Sequence, residues 1–97
     1  MSFSEILSKR ILTLCDERNL SINRLATLSG LKQSTVNNII INKTKNPSIL
    51  VLQSIAMGLK MTLPDFLDIP EIRNLTFDDV AKFRQEANKK RRAKDQK

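Results

Sequence analysis

Apolar positions recur at three- and four-residue spacing along most of the chain, and period-2 alternation is missing, so the pattern predicts helices and no strands. Ile6, Leu7, Ile11, Leu14 and Cys15 make the first stripe, with Lys9, Asp16 and Glu17 mostly outside it. Ser2 and Glu5 have the spacing of a capping box, which opens that helix and carries it to about Arg18, with Asn19 as a left-handed stop. Ser21 caps a short second helix whose apolar members are Ile22, Leu25, Ala26 and Leu28. Gly30 supplies the positive φ that a sharp helix–helix turn needs, and Leu31 plugs the elbow.

The third helix runs from about Gln33 to Ile41, buries Val36, Ile39 and Ile40, and stops at Asn42. Lys43 and Lys45 follow in a polar loop, and Asn46-Pro47-Ser48 starts a fourth helix over about 48–58. Its buried set is Ile49, Leu52, Ile55, Ala56 and Leu59, with Leu50 and Val51 off that stripe. Thr62 and Asp65 open a short fifth helix through about Asp68, with a staple between Met61 and Phe66. Ile69-Pro70 reads as a boundary and 70–75 as a linker. Thr76-Phe77-Asp78-Asp79 signals a sixth helix to about Arg92, and the end of the chain, KKRRAKDQK, reads equally as its basic terminus or as disorder. The organisation expected is a domain over 1–69 and a linker plus basic helix or tail over 70–97.

Composition narrows the function. The 97 residues carry a net charge of +7, unevenly placed. Residues 1–80 hold nine Lys/Arg and eight Asp/Glu, a net of +1, whereas 81–97 hold eight and two, a net of +6. A basic balance suggests an anionic partner such as nucleic acid, set against a merely solvated tail. The chain has no His, one Cys and two Gly. That excludes His-based triads and His-containing metal sites, a cysteine zinc site and a Gly-rich phosphate loop, so neither an enzyme nor a cofactor or metal is expected. No apolar run reaches membrane-spanning length and no signal-peptide pattern opens the chain, so the expected location is cytoplasmic, away from membranes.

The outer face of the third helix carries Gln33, Ser34, Asn37 and Asn38. Short amides are poor helix formers, whereas ordinary solvated faces are rich in Glu and Lys. Gln and Asn match the donor–acceptor edge of adenine, and Ser or Thr can bond a base or a phosphate. A helix laid in the major groove presents residues from its first two turns, where these four fall.

These residues carry a resemblance. The segment from Arg10 to Asp68 is similar to the Cro/phage-repressor (Xre-type) helix-turn-helix family. The pattern is Leu20-Ser21-x3-Leu25-Ala26-x3-Gly30-Leu31-x2-Ser34-Thr35-Val36-x2-Ile39, followed by Asn46-Pro47-Ser48. The resemblance implies an all-α, five-helix bundle of the lambda-repressor-like type with an additional basic C-terminal helix or tail. It also implies sequence-specific binding to double-stranded DNA, commonly by a homodimer on a palindromic operator. Gln33, Ser34, Asn37 and Asn38 match the family's base-facing or backbone-facing positions, with the more structural Thr35 beside them. Lys43 and Lys45 match its phosphate-contacting loop, and Ser21 and Asn23 the N-terminus of the second helix, which approaches the backbone.

The sequence departs from the family at four positions. Ile22 replaces a frequent phosphate-contacting Gln, and Asn42 a common Gly. Cys15 and Ile40 stand where Arg and Glu usually pair, and exchanging both partners of a buried ion pair for apolar groups is tolerated where exchanging one is not. Cys15 is therefore expected to pack against Ile40, within about 6 Å.

The leading function is a DNA-binding transcriptional regulator acting as a repressor, with little room after residue 69 for a ligand-sensing domain. The alternative is an antitoxin-type interaction module whose C-terminal segment, residues 76–92, binds a protein partner. That segment is read as a helix contributing to dimerisation, with its basic end near DNA.

Overall fold

The computed structural model describes the backbone of residues 2–95 and the side chains of residues 2–87. Among them are seven helices: α1 (Phe3–Glu17), α2 (Ile22–Ser29), α3 (Gln33–Ile40), α4 (Ile49–Gly58), α5 (Leu63–Leu67), α6 (Pro70–Arg73) and α7 (Phe77–Asp95). Their boundaries are written locally. The hydroxyls of Ser2, Ser21, Ser48 and Thr62 each accept the backbone N–H three residues on, from Glu5, Arg24, Val51 and Asp65. Thr76 and Asp79 cap reciprocally, the Thr76 N–H donating to Asp79 Oδ2 at 3.0 Å and the Asp79 N–H to Thr76 Oγ1 at 3.1 Å. Chain reversals are made by residues of positive φ: Asn19 at 52°, Gly30 at 69°, Asn42 at 63° and Lys60 at 59°.

The core gathers Leu7, Ile11, Leu14 and Cys15 of α1, Leu25 and Ala26 of α2, Val36 and Ile39 of α3, and Leu52, Ile55 and Ala56 of α4, closed by Leu59 and Phe66. The stripes of α1 and α3 thus turn inward as the spacing predicts. Arg10 fastens the far end of the bundle, its guanidinium donating to the carbonyls of Phe66 (2.9 Å) and Asp65 (3.1 Å) at the end of the five-residue α5.

Three expectations need correction. Ile49 is 62 % exposed and Leu28 42 %, although both lie on apolar stripes, and Pro47 is buried instead. Spacing identifies the face that turns inward but not how far along it a neighbour reaches. The span 70–75 is not an irregular linker: Pro70–Arg73 forms one helical turn, and Ile72 packs half-buried against the core. Pro at the first position suits a helix start, since its missing N–H would have had no partner there. An exposed Arg73–Asp68 pair at 3.1 Å bridges the bend and is worth less than about 1 kcal/mol.

α7 returns to the domain through Phe83, whose ring lies 6.0 Å from that of Phe3, tilted by 41°. Of the three large apolar residues on α7, Phe83 is half-buried, whereas Phe77 and Val80 stay 86 % and 43 % exposed. The segment KKRRAKDQK lies outside the residues whose side chains are described.

Gly58 does not end α4 with a left-handed turn; Lys60 does so two residues later. Gly58 is needed for a close approach of α2: a Cβ there would sit 3.1 Å from the Ser29 backbone nitrogen and 3.3 Å from Leu25 Cδ1, besides colliding with Ser29 Oγ. Gly58→Ala should therefore lower stability by about 1–3 kcal/mol through overpacking, read as a shifted midpoint in urea. A second expectation concerns acid. Glu5 and Asp79 are held below the ordinary carboxylate range by backbone and then hydroxyl hydrogen bonds, from Ser2 and from Thr76 respectively. Their depressed folded-state values stabilise the protein above the ordinary carboxylate range, and the contribution disappears as pH falls through them. The melting-temperature gap between wild type and Glu5→Ala should accordingly narrow on acidification.

Candidate nucleic-acid interface

α3 has eight residues and is held at both ends and along one face. Val36 and Ile39 are 0 % and 1 % exposed. At its start, the Leu31 N–H donates to the Ala26 carbonyl at 3.0 Å across the left-handed Gly30, a six-residue closure that sets α3 against α2. At its end, Asn42 takes positive φ, and the N–H groups of Lys43 and Thr44 both donate to the Asn38 carbonyl, at 2.9 and 3.0 Å. The left-handed Asn is kept even though its Oδ1 is buried without a hydrogen-bond partner among the described residues.

One further clasp comes from α1. Ser8, 6 % exposed, donates its hydroxyl to the Ile40 carbonyl at 2.8 Å, satisfying an oxygen in the last turn of α3. Sequence reasoning passed over Ser8 because serine is ordinarily a surface residue. The signal was present: Ser4 and Ser8 continue the stripe of Leu7, Ile11 and Cys15 at helical spacing, and a small hydroxyl on a buried face implies a polar partner across it. Cys15 and Ile40 belong to the same apolar region, Cys15 buried within the core and Ile40 half-buried against it. Burial raises the Cys15 thiol above its ordinary value, which disfavours the thiolate that nucleophilic chemistry would require.

With the apolar side fixed, the other side of α3 faces outward. Gln33, Ser34 and Asn37 are exposed, and Thr35 and Asn38 are half-buried. The N-cap of α3 is Lys32, which makes no side-chain cap hydrogen bond, so the first backbone N–H groups of α3 receive no side-chain acceptor from it. Ser21 and Asn23 are exposed at the start of α2, and their hydrogen bonds run within that helix. Ser21 Oγ accepts the Arg24 N–H at 3.0 Å and keeps its own O–H as a donor, while the Asn23 carbonyl accepts the Thr27 hydroxyl at 3.1 Å. Lys43 and Lys45 are exposed in the loop after α3. Lys45 also adds to the field that lowers the Glu5 carboxyl, behind the hydrogen bonds from Ser2.

The arrangement therefore offers a strip of uncharged donors and acceptors on one short helix, followed directly by two lysines. Among the described residues no helix is long and apolar enough to cross a membrane, and no group of three or more Cys, Asp or Glu side chains is arranged to hold a metal ion.

Residues 11–66 match the model of a helix-turn-helix family. Among solved structures, the crystal structure of the prophage Lp1 protein 11 is similar, with a TM-score of 0.69 and 36% identity, covering 77% of this chain and 100% of that one. No curated protein matches.

The Ser8 clasp is open to direct measurement. Ser8→Ala should cost about 1 kcal/mol, the worth of a hydrogen bond whose buried acceptor is left behind, and should speed amide hydrogen exchange in α3 more than in α2.

Proposed function

We propose a function on the premise that the chain belongs to the helix-turn-helix family of the Cro/C1 type, a family of DNA-binding transcription regulators. In this reading the protein is a repressor that binds a specific duplex site, commonly as a homodimer on a palindromic operator. The observation that carries it is the exposed amide-rich face of α3, held rigidly on its other side by Val36, Ile39 and the Ser8–Ile40 hydrogen bond.

The roles divide by chemistry. Gln33 and Asn37 present paired donor and acceptor atoms suited to a base edge, with Ser34, Thr35 and Asn38 supporting contacts at its side. Lys43 and Lys45 neutralise phosphate, and Ser21 and Asn23 bring the N-terminus of α2 against the backbone. Because the face that meets the bases carries no charge, sequence discrimination comes from hydrogen-bond matching, while affinity comes from the lysines beside it. The likeness to a prophage protein supports a phage-type regulator.

A second reading, an antitoxin-type module binding a protein through residues 76–92, draws its support from Phe77, which is exposed on α7. A toxin that copurifies with the full chain and is lost on Phe77→Ala would favour that reading.

The test of the first reading compares three variants on a panel of duplexes. Gln33→Ala and Asn37→Ala should each lose about 1–3 kcal/mol of discrimination at one base position. Lys45→Ala should weaken binding to all sequences alike and reduce the slope of log affinity against log salt by about one. Equal effects from all three would remove α3 from base recognition.

A further inference from the structure

α7 lies beyond the family match, which ends at residue 66. One stripe of α7 reads Val80, Phe83, Arg84 and Ala87 at i, i+3, i+4, i+7, with Phe83 and Ala87 half-buried and Val80 and Arg84 exposed beside them. A cation that served only solubility would stand on the opposite face. Arg84 instead lines, with these apolar neighbours, Phe3 and Lys45, a cleft of about 500 Å³ between α7, the start of α1 and the loop after α3. The packing of Phe83 on Phe3 fixes this side of α7 toward the domain. Two like charges border one cleft, and neither Arg84 nor Lys45 has a carboxylate within salt-bridge distance among the described residues. Glu5 is the acid whose field meets Lys45, and Asp79 on α7 is engaged by Thr76.

We infer that Arg84 and Lys45 together form a second backbone clamp on DNA, the cleft taking the sugar–phosphate backbone that flanks the recognised site. The two cations face the phosphate, and the apolar floor suits the carbon face of the deoxyribose. The inference rests on the DNA-binding reading and extends it to a helix outside the family match. α7 thus acts through one placed arginine as well as through the bulk positive charge of its far end. Arginine suits the position because its planar fork bonds phosphate through two N–H groups, whereas lysine offers a point charge.

The test uses the full chain and a short mixed-sequence DNA duplex, titrated between 50 and 200 mM salt. Each phosphate contact contributes a slope of about −0.9, equivalent to roughly a 3.5-fold change in affinity over that range. The ratio of dissociation constants, Arg84→Ala to wild type, should therefore shrink by about 3.5-fold from the low to the high salt. Phe83→Ala should reproduce the loss by undocking the helix, and Arg84→Lys should restore most of the slope. Lys82→Ala, which removes an exposed cation outside the stripe, should leave the slope unchanged. If Lys45→Ala lowers the slope and Arg84→Ala does not, DNA binding stands and the clamp is overturned. If neither does, the loop contact fails and the clamp with it. Equal losses from Lys82→Ala and Arg84→Ala would mean diffuse charge and overturn the placed contact. A change of oligomeric state in Arg84→Ala, seen by sedimentation with the slope intact, would assign the cleft to a second copy and overturn the proposal.

Discussion

An eight-residue helix has little stability of its own in water, because nucleating the first turn costs more than so few hydrogen bonds return. α2 and α3 are both this short, and everything that distinguishes them functionally depends on neighbours holding them. Burial of Leu25, Ala26, Val36 and Ile39 supplies the apolar part. The left-handed Gly30 fixes the angle between the two helices, and Ser8 satisfies a carbonyl at the end of the second. The polar face of α3 is therefore free to be chosen for hydrogen-bonding pattern rather than helix propensity. Asn at two successive positions would weaken an isolated helix, and here tertiary contacts offset that cost.

This division explains what was legible in the sequence. The starts of α1, α2, α4, α5 and α7 were readable because each cap is a Ser or Thr acting on an N–H three residues away, a purely local interaction. The left-handed stops at Asn19, Gly30 and Asn42 were readable for the same reason. What could not be read is whatever depends on reach. Ile49 and Leu28 sit on correctly identified faces yet remain exposed, and Pro47 fills an interior position that spacing did not assign to it. Ser8 looked like a surface hydroxyl because its partner is 32 residues away. Lys60 reverses the chain with no sequence signal for it, and α6 forms where Pro70 suggested only interruption. The amide face of α3 was legible as a composition, but the docking that lets Arg84 line a cleft with Lys45 required the fold.

Charge and the amide strip are also separated along the chain. The amide strip on α3 is neutral, the lysines follow it in the loop, and most of the positive excess lies after residue 80. Neutral side chains lose less on leaving water than ions do, so a neutral strip can approach base edges at modest desolvation cost. Cations work best where phosphate replaces solvent around them, at the edges. The Phe3–Phe83 contact joins the two regions by bringing α7 against the start of α1.

Arg10 has a consequence for how the chain is made. Its guanidinium binds carbonyls at Asp65 and Phe66, up to 56 residues away, and Phe66 itself is fully buried against helices formed much earlier. While the protein is being synthesised, α1 to α4 can associate as they emerge, since the contacts that hold them to one another lie among residues that precede α5. The bundle stays open at one end until residue 66 has left the ribosome, and the apolar surface waiting for Phe66 is exposed throughout that interval. Docking of Phe66 thus closes this end of the core, and the time a ribosome takes to reach it sets how long an incomplete core is open to misassociation.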